Sequence, residues 1–330
     1  MKTVVFSSKP YDRASLVPMN AGRHDLVFQE PRLNVATAPL AAGAEAVCLF
    51  VHDRADAEAI DILANLGVRA IALRCAGFNN VDLAAAANRG IRIARVPAYS
   101  PHGVAEHAVA LLLTLNRRIH RAYNRVRESN FSLDGLLGFD LHGKTVGVIG
   151  TGRIGECFAR IMAGFGCRIL AYDVFESPSV LAVGAEYGPL ERLFSESHII
   201  SLHCPLTPRT HHLIDATALG KMRDGTMLIN TGRGPLIDTP AVINALKSGR
   251  LGALAIDVYE EEEGVFYEDL SGSILPDDQL ARLITYPNVL VTGHQAFFTR
   301  EAMQAIAEVT LSNLDDFAAG RDCPNAVKAG

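Results

Sequence analysis

Three short segments in the second half of this 330-residue chain carry side chains suited to acid–base and anion chemistry. In Ile229-Asn230-Thr231-Gly232-Arg233-Gly234 an arginine stands between two glycines, and its planar fork can hold a carboxylate through two parallel hydrogen bonds. In Asp257-Val258-Tyr259-Glu260-Glu261-Glu262-Glu263 an aspartate closes an apolar run and four glutamates follow. In Val291-Thr292-Gly293-His294-Gln295-Ala296-Phe297-Phe298 a histidine just past an apolar run precedes two phenylalanines, which suits an imidazole acid–base group in an apolar pocket. Reduction of a keto acid needs such a set: a proton donor, and a cation that orients the carboxylate and polarises the carbonyl. Each segment alone has a plainer reading. Arg233 is equally a solvated loop residue, His294 is one of 11 histidines, and at least three of the glutamates read as an acidic turn. Spacing does not say which glutamate faces inward.

All three segments follow predicted strands, the place where ligands gather in a doubly wound sheet. Strand-like runs alternate with helical ones through most of the chain. The first hundred residues show runs at 3–7, 46–51, 68–73 and 91–96, with helices over 57–66 and 83–89. Continuous apolar strands separated by helices predict a parallel sheet covered on both faces. One long helix is predicted from Ser100 to Glu128, with Pro101 near its start. The alternation then restarts with strands at 145–149, 168–172, 198–203, 226–230, 252–257 and 289–292, and the chain closes on an amphipathic helix over 300–317. Six strands make a full doubly wound sheet.

The run Gly150-Thr151-Gly152-Arg153-Ile154-Gly155 reads G-x-G-x-x-G between the strand 145–149 and an apolar helix. In that context Gly150 permits a tight turn, Gly152 lets the backbone approach a pyrophosphate, and Gly155 lets helix and sheet pack closely. Asp173 ends the next strand, where a carboxylate accepts from ribose hydroxyls and repels a 2′-phosphate. NAD is therefore the expected cofactor.

Composition limits the partners. A net charge of -5 gives no electrostatic reason to expect nucleic acid or an anionic membrane. No apolar stretch reaches the ~18 residues of a membrane span, and no signal pattern opens the chain, so a cytoplasmic protein is expected. The six cysteines form no C-x-x-C pair and read as reduced thiols, and no metal site is expected.

Taken together, these segments resemble the NAD-dependent D-2-hydroxyacid dehydrogenases, and the fermentative bacterial subgroup most closely. The carriers are Leu73-Arg74-Cys75-Ala76-Gly77-Phe78-Asn79-Asn80-Val81-Asp82, Arg95-Val96-Pro97-Ala98-Tyr99-Ser100-Pro101, Ala105-Glu106-His107-Ala108, the glycine loop, Leu202-His203-Cys204-Pro205-Leu206-Thr207 and the three segments above. The resemblance implies a Rossmann-type nucleotide-binding domain, residues 99–298, inserted into a smaller flavodoxin-like α/β substrate domain, residues 1–98 and 299–330. It implies a catalytic trio of Arg233, Glu262 and His294, the glutamate being five positions after Asp257. It implies cofactor contacts at Arg153, Ile154, Asp173, Cys204, Pro205, Thr210, Thr231, Gly232, Arg233 and Asp257, beside Gly150, Gly152 and Gly155. Ala76 and Gly77 would offer backbone N–H groups to the substrate carboxylate, and Phe50, Tyr99 and Phe297 would line the substrate pocket. The implied activity is reversible hydride transfer between NADH and a small 2-keto acid, with pyruvate and D-lactate the expected pair, in a homodimer or homotetramer. Alternatives are another D-2-hydroxy acid such as glycerate or hydroxyisocaproate, or an NAD-sensing scaffold. Departures from the family pattern are Gly293 before the histidine, Gly232 before the arginine, and Thr210 where an asparagine is usual.

Overall fold

The computed structural model describes residues 1–327. The chain divides into two compact units, Met1–Ser100 with the described residues from Phe298 onward, and Pro101–Phe297.

The first unit is built on a six-stranded sheet. Its spatial order is Ala326–Val327, Arg92–Ala94, Ala70–Leu73, Ala46–Leu49, Lys2–Val5, Asp25–Phe28. All neighbours are parallel except the Ala326–Val327 edge. Both faces of the central strands are buried, as their unbroken apolar runs require, and the helix Arg300–Ala318 covers one face through Ala307, Leu311, Leu314 and Phe317. Asp25–Phe28 was not among the predicted strands. It is only half-buried at the sheet edge, and its run Asp-Leu-Val-Phe is too short to stand out.

The second unit is a seven-stranded sheet, all parallel, ordered Val289–Val291, Leu251–Ile256, Thr226–Asn230, Ile199–Leu202, Thr145–Ile149, Arg168–Tyr172, Glu186–Tyr187. Six of these match the predicted strands. The seventh, Glu186–Tyr187, has two residues and no periodicity to read. This is the Rossmann-type sheet, with the order reversing between Ile199–Leu202 and Thr145–Ile149.

One prediction is corrected. The long helix is two helices, Pro101–Asn116 and Ile119–Arg127, separated at Arg118 with φ 50°. The buried Asn116 side chain bonds to both backbone groups of Phe139, at 2.8 and 3.0 Å, tying the end of the first helix to the chain near residue 139. No described helix is long and apolar enough to cross a membrane.

Candidate active site

The three segments singled out by their chemistry leave adjacent strands of the second unit. Register sets Asn230 beside Ile256 and Ile256 beside Val291, so the loops beginning at Thr231, Asp257 and Thr292 emerge side by side. Backbone hydrogen bonds lace them together. Asp257 N–H donates to Asn230 O at 2.9 Å, Thr292 N–H to Ile256 O at 2.9 Å, and His294 N–H to Asp257 O at 2.7 Å. Gly234 lies so near the next loop that a Cβ there would stand 2.0 Å from Tyr259 O, which only glycine permits.

His294 sits in the left-handed region at φ 53°, a conformation that costs a non-glycine residue of order 1–3 kcal/mol and persists only when its surroundings fix it. They do. Its N–H is held by Asp257 O, its carbonyl accepts the Tyr267 hydroxyl at 2.8 Å, and its ring stacks on that tyrosine with centroids 5.9 Å apart. Its Nδ1 lies 3.0 Å from Glu262 Oε1, while Glu262 Oε2 accepts the Tyr259 N–H at 3.2 Å. The side chains of His294 and Glu262 are 18% and 20% exposed, so the pair is sheltered yet reachable. The choice among the four glutamates is thereby decided geometrically: Glu261 and Glu263 point to solvent, Glu260 meets His212, and Glu262 faces His294.

Arg233 is half-buried at the end of its loop. Asn230 shapes that loop, with Oδ1 accepting Gly232 N–H at 3.0 Å and Nδ2 donating to Arg233 O at 2.8 Å. The guanidinium donates to Gly232 O at 2.7 Å. Of its five N–H groups this engages one, so the fork keeps donors for a carboxylate.

Asp257 is fully buried. One carboxylate oxygen accepts the Thr292 hydroxyl at 2.5 Å and Gln295 N–H at 2.9 Å, and the other accepts Ala296 N–H at 2.8 Å. His107 Nε2 lies 3.4 Å away. Burial alone would raise this carboxyl, but hydrogen bonding from His107, Thr292 and the two amides outweighs it and holds the group below the usual aspartate value. His107, Thr292 and Tyr267 were not read as site residues. Their partners lie far away in the chain or in an aperiodic stretch, so nothing local marks them.

The glycine loop fits a dinucleotide. Gly150 has φ 94°, and a Cβ on it would meet Cys204 N at 2.4 Å; a Cβ on Gly155 would meet Gly150 O at 1.9 Å. These two glycines make the turn and the close helix packing. At Gly152 a Cβ would meet nothing within 4 Å, so the space over the start of helix Arg153–Gly164 is open, and no side chain caps that helix. Unpaired N–H groups and the positive end of the helix dipole face that space, as a pyrophosphate requires. Arg153 is exposed and Ile154 half-buried at its rim. Asp173 Oδ2 accepts Thr151 N–H at 2.6 Å and its hydroxyl at 3.2 Å, and Oδ1 accepts Val174 N–H at 2.7 Å and Phe175 N–H at 3.4 Å, so a ribose hydroxyl would take the place of the longer of these contacts. Pro205 O accepts the Thr210 hydroxyl at 2.7 Å, which fixes the loop that begins at Cys204. Burial pushes the Cys204 thiol up to about 11, so it is a neutral contact surface. Thr231 and Phe297 are buried in the same unit.

The remaining expected substrate residues belong to the first unit. Strand Ala70–Leu73 delivers the loop Cys75–Phe78, pinned by Arg95 donating to Ala76 O at 2.8 Å and by Val96 N–H donating to Cys75 O at 3.1 Å. Phe50 follows Ala46–Leu49, its N–H bonded to Asp53 Oδ2 at 2.6 Å and its ring 5.0 Å from the buried Arg74 guanidinium. Tyr99 is half-buried.

Residues 109–296 match the family described as D-isomer specific 2-hydroxyacid dehydrogenase, NAD binding domain. The chain is 53% identical to a 2-hydroxyacid dehydrogenase homolog of Haemophilus influenzae over 99% of both chains. It is 51% identical to the D-lactate dehydrogenase of Escherichia coli, over 98% of this chain and 99% of that one. Among solved structures, that of the pyruvate reductase of Chlamydomonas reinhardtii superposes with a TM-score of 0.94 at 46% identity, covering 98% of each chain.

Proposed function

The chain belongs to the D-isomer-specific 2-hydroxyacid dehydrogenases, and from that premise we propose that it reduces pyruvate to D-lactate with NADH, reversibly. The observation that supports this most is the 3.0 Å contact between His294 Nδ1 and Glu262 Oε1 on loops laced to the one that bears Arg233.

In this reading Glu262 at Nδ1 stabilises the imidazolium and fixes the ring, so Nε2 gives its proton to the keto oxygen. Arg233 grips the substrate carboxylate and draws electron density from the carbonyl. Bound NADH supplies the hydride. In the reverse direction neutral His294 takes the hydroxyl proton. Asp257 holds the backbone of His294 and of the two residues after it, so the imidazole is positioned before substrate arrives. The space over Gly152 would hold the pyrophosphate and the Asp173 carboxylate the adenosine ribose, with Arg153, Ile154, Cys204, Pro205, Thr210 and Thr231 around them.

The protein acts in the cytoplasm as a homodimer or homotetramer. Exposed Ile119, Tyr123, Val126, Phe131, Leu133 and Leu137 form an apolar stretch that a second copy would cover. The test is a panel of 2-keto acids assayed with NADH and with NADPH, with the product's configuration determined. The reading requires highest kcat/KM for pyruvate with NADH, much weaker use of NADPH, and D-lactate as product. A bulkier keto acid preferred over pyruvate, or L-lactate formed, would overturn it.

A further inference from the structure

A second cluster of ligating side chains lies in the nucleotide-binding unit, apart from His294. His211, His212 and Glu260 bring two imidazole nitrogens and a carboxylate oxygen within 4.8 Å of one another. The two rings stack with centroids 4.0 Å apart and planes 29° from parallel. His212 Nε2 lies 2.5 Å from Glu260 Oε1.

Each member is fixed from outside the cluster. His212 is in the left-handed region at φ 51°, and its N–H donates to Pro235 O at 2.8 Å. His211 N–H donates to Thr207 O at 2.9 Å. The free edge of the Glu260 carboxylate accepts Thr239 N–H, at the first residue of helix Thr239–Ser248, at 3.3 Å. The side chains of His212 and Glu260 are 34% and 18% exposed, and His211 is exposed. A histidine bonded to a glutamate explains His212 and Glu260 as a clasp between two loops. It does not explain a second imidazole stacked on the first with a ring nitrogen within 4.8 Å of the same carboxylate.

We propose that His211, His212 and Glu260 form a binding site for a divalent transition-metal ion, Zn²⁺ by the chemistry of its donors. Two imidazoles and one carboxylate are the three-ligand set that leaves zinc a fourth position for water. Zinc ligands stand ~2.0–2.2 Å from the ion and so ~3.3–3.5 Å from one another, which requires the His212–Glu260 contact to open and the exposed His211 to swing in. Both imidazoles bind the ion in the neutral form. The ion would join the loop holding Cys204, Pro205 and Thr210 to the loop holding Glu262, tying a cofactor-side segment to an acid–base one.

The test uses the full-length protein stripped with a chelator and titrated with Zn²⁺ alone by equilibrium dialysis, beside the variant His211→Ala. That variant leaves the His212–Glu260 bond intact and touches neither the acid–base pair nor the glycine loop. Expected are one ion per chain at micromolar zinc, a loss of affinity of at least ~10-fold in His211→Ala, and a zinc-dependent rise in Tm absent from that variant. Metal-free Tm and turnover should be the same in both proteins. Substitution with Co²⁺ should give visible bands of a nitrogen–oxygen site without the charge-transfer absorption of a thiolate. Equal zinc affinity in His211→Ala, thiolate absorption with Co²⁺, or no binding below about millimolar zinc would each overturn the proposal.

Discussion

Asp257 holds His294 by two routes at once: its backbone carbonyl accepts the His294 N–H at 2.7 Å, and its carboxylate accepts the amides of Gln295 and Ala296 at 2.9 and 2.8 Å. The histidine's φ of 53° is thereby maintained by a buried anion rather than by glycine. Asp257→Asn replaces one acceptor oxygen with a donor that must face an amide or hydroxyl. Leaving such a buried group unpaired costs ~1–3 kcal/mol. The expected result is a loss of that size in urea unfolding, with kcat lowered because the imidazole is less well held.

Arg233→Lys puts a point charge where a fork stood. The expected effect is a raised KM for pyruvate, with NADH affinity measured by fluorescence titration near wild type. An unchanged KM would remove Arg233 as the carboxylate anchor.

His203 lies beneath the glycine loop, 2.9 Å from the Ser201 hydroxyl and packed on Phe158 with ring centroids 4.9 Å apart. Burial lowers its pKa to about 3. The unfolded chain therefore binds the proton more readily. The stability this neutral histidine contributes is full above ~6.5 and is lost as pH falls from there toward 3. Urea unfolding at pH 7 and pH 5 should show wild type losing on the order of 1–2 kcal/mol more than His203→Gln across that interval. Equal losses would mean that the imidazole is solvated.

Much of this was legible in the residues. The Val- and Ile-rich runs marked the sheet, because parallel strands buried on both faces are continuously apolar. The spacing of Gly150, Gly152 and Gly155 marked the dinucleotide turn, because backbone contact forbids a Cβ at two of those places and the ligand needs open space at the third. Four glutamates in a row hid the partner of His294, since only tertiary packing turns Glu262 inward and leaves Glu261 and Glu263 in water. His107 and Thr292 stood in the quoted motifs without a role, and Tyr267 in none, because each bonds to a partner distant in the chain. The break at Arg118 was missed because its left-handed turn falls in Asn116-Arg117-Arg118-Ile119, with no glycine or proline to mark it.

The central claim is that His294 moves the proton. Replacing it with alanine removes a general acid–base group, which typically contributes about 10²–10⁴-fold. Pyruvate-dependent NADH oxidation by His294→Ala, measured beside its NADH dissociation constant, should show turnover reduced by at least that order with cofactor binding nearly unchanged. Near wild-type turnover in that variant would contradict the account.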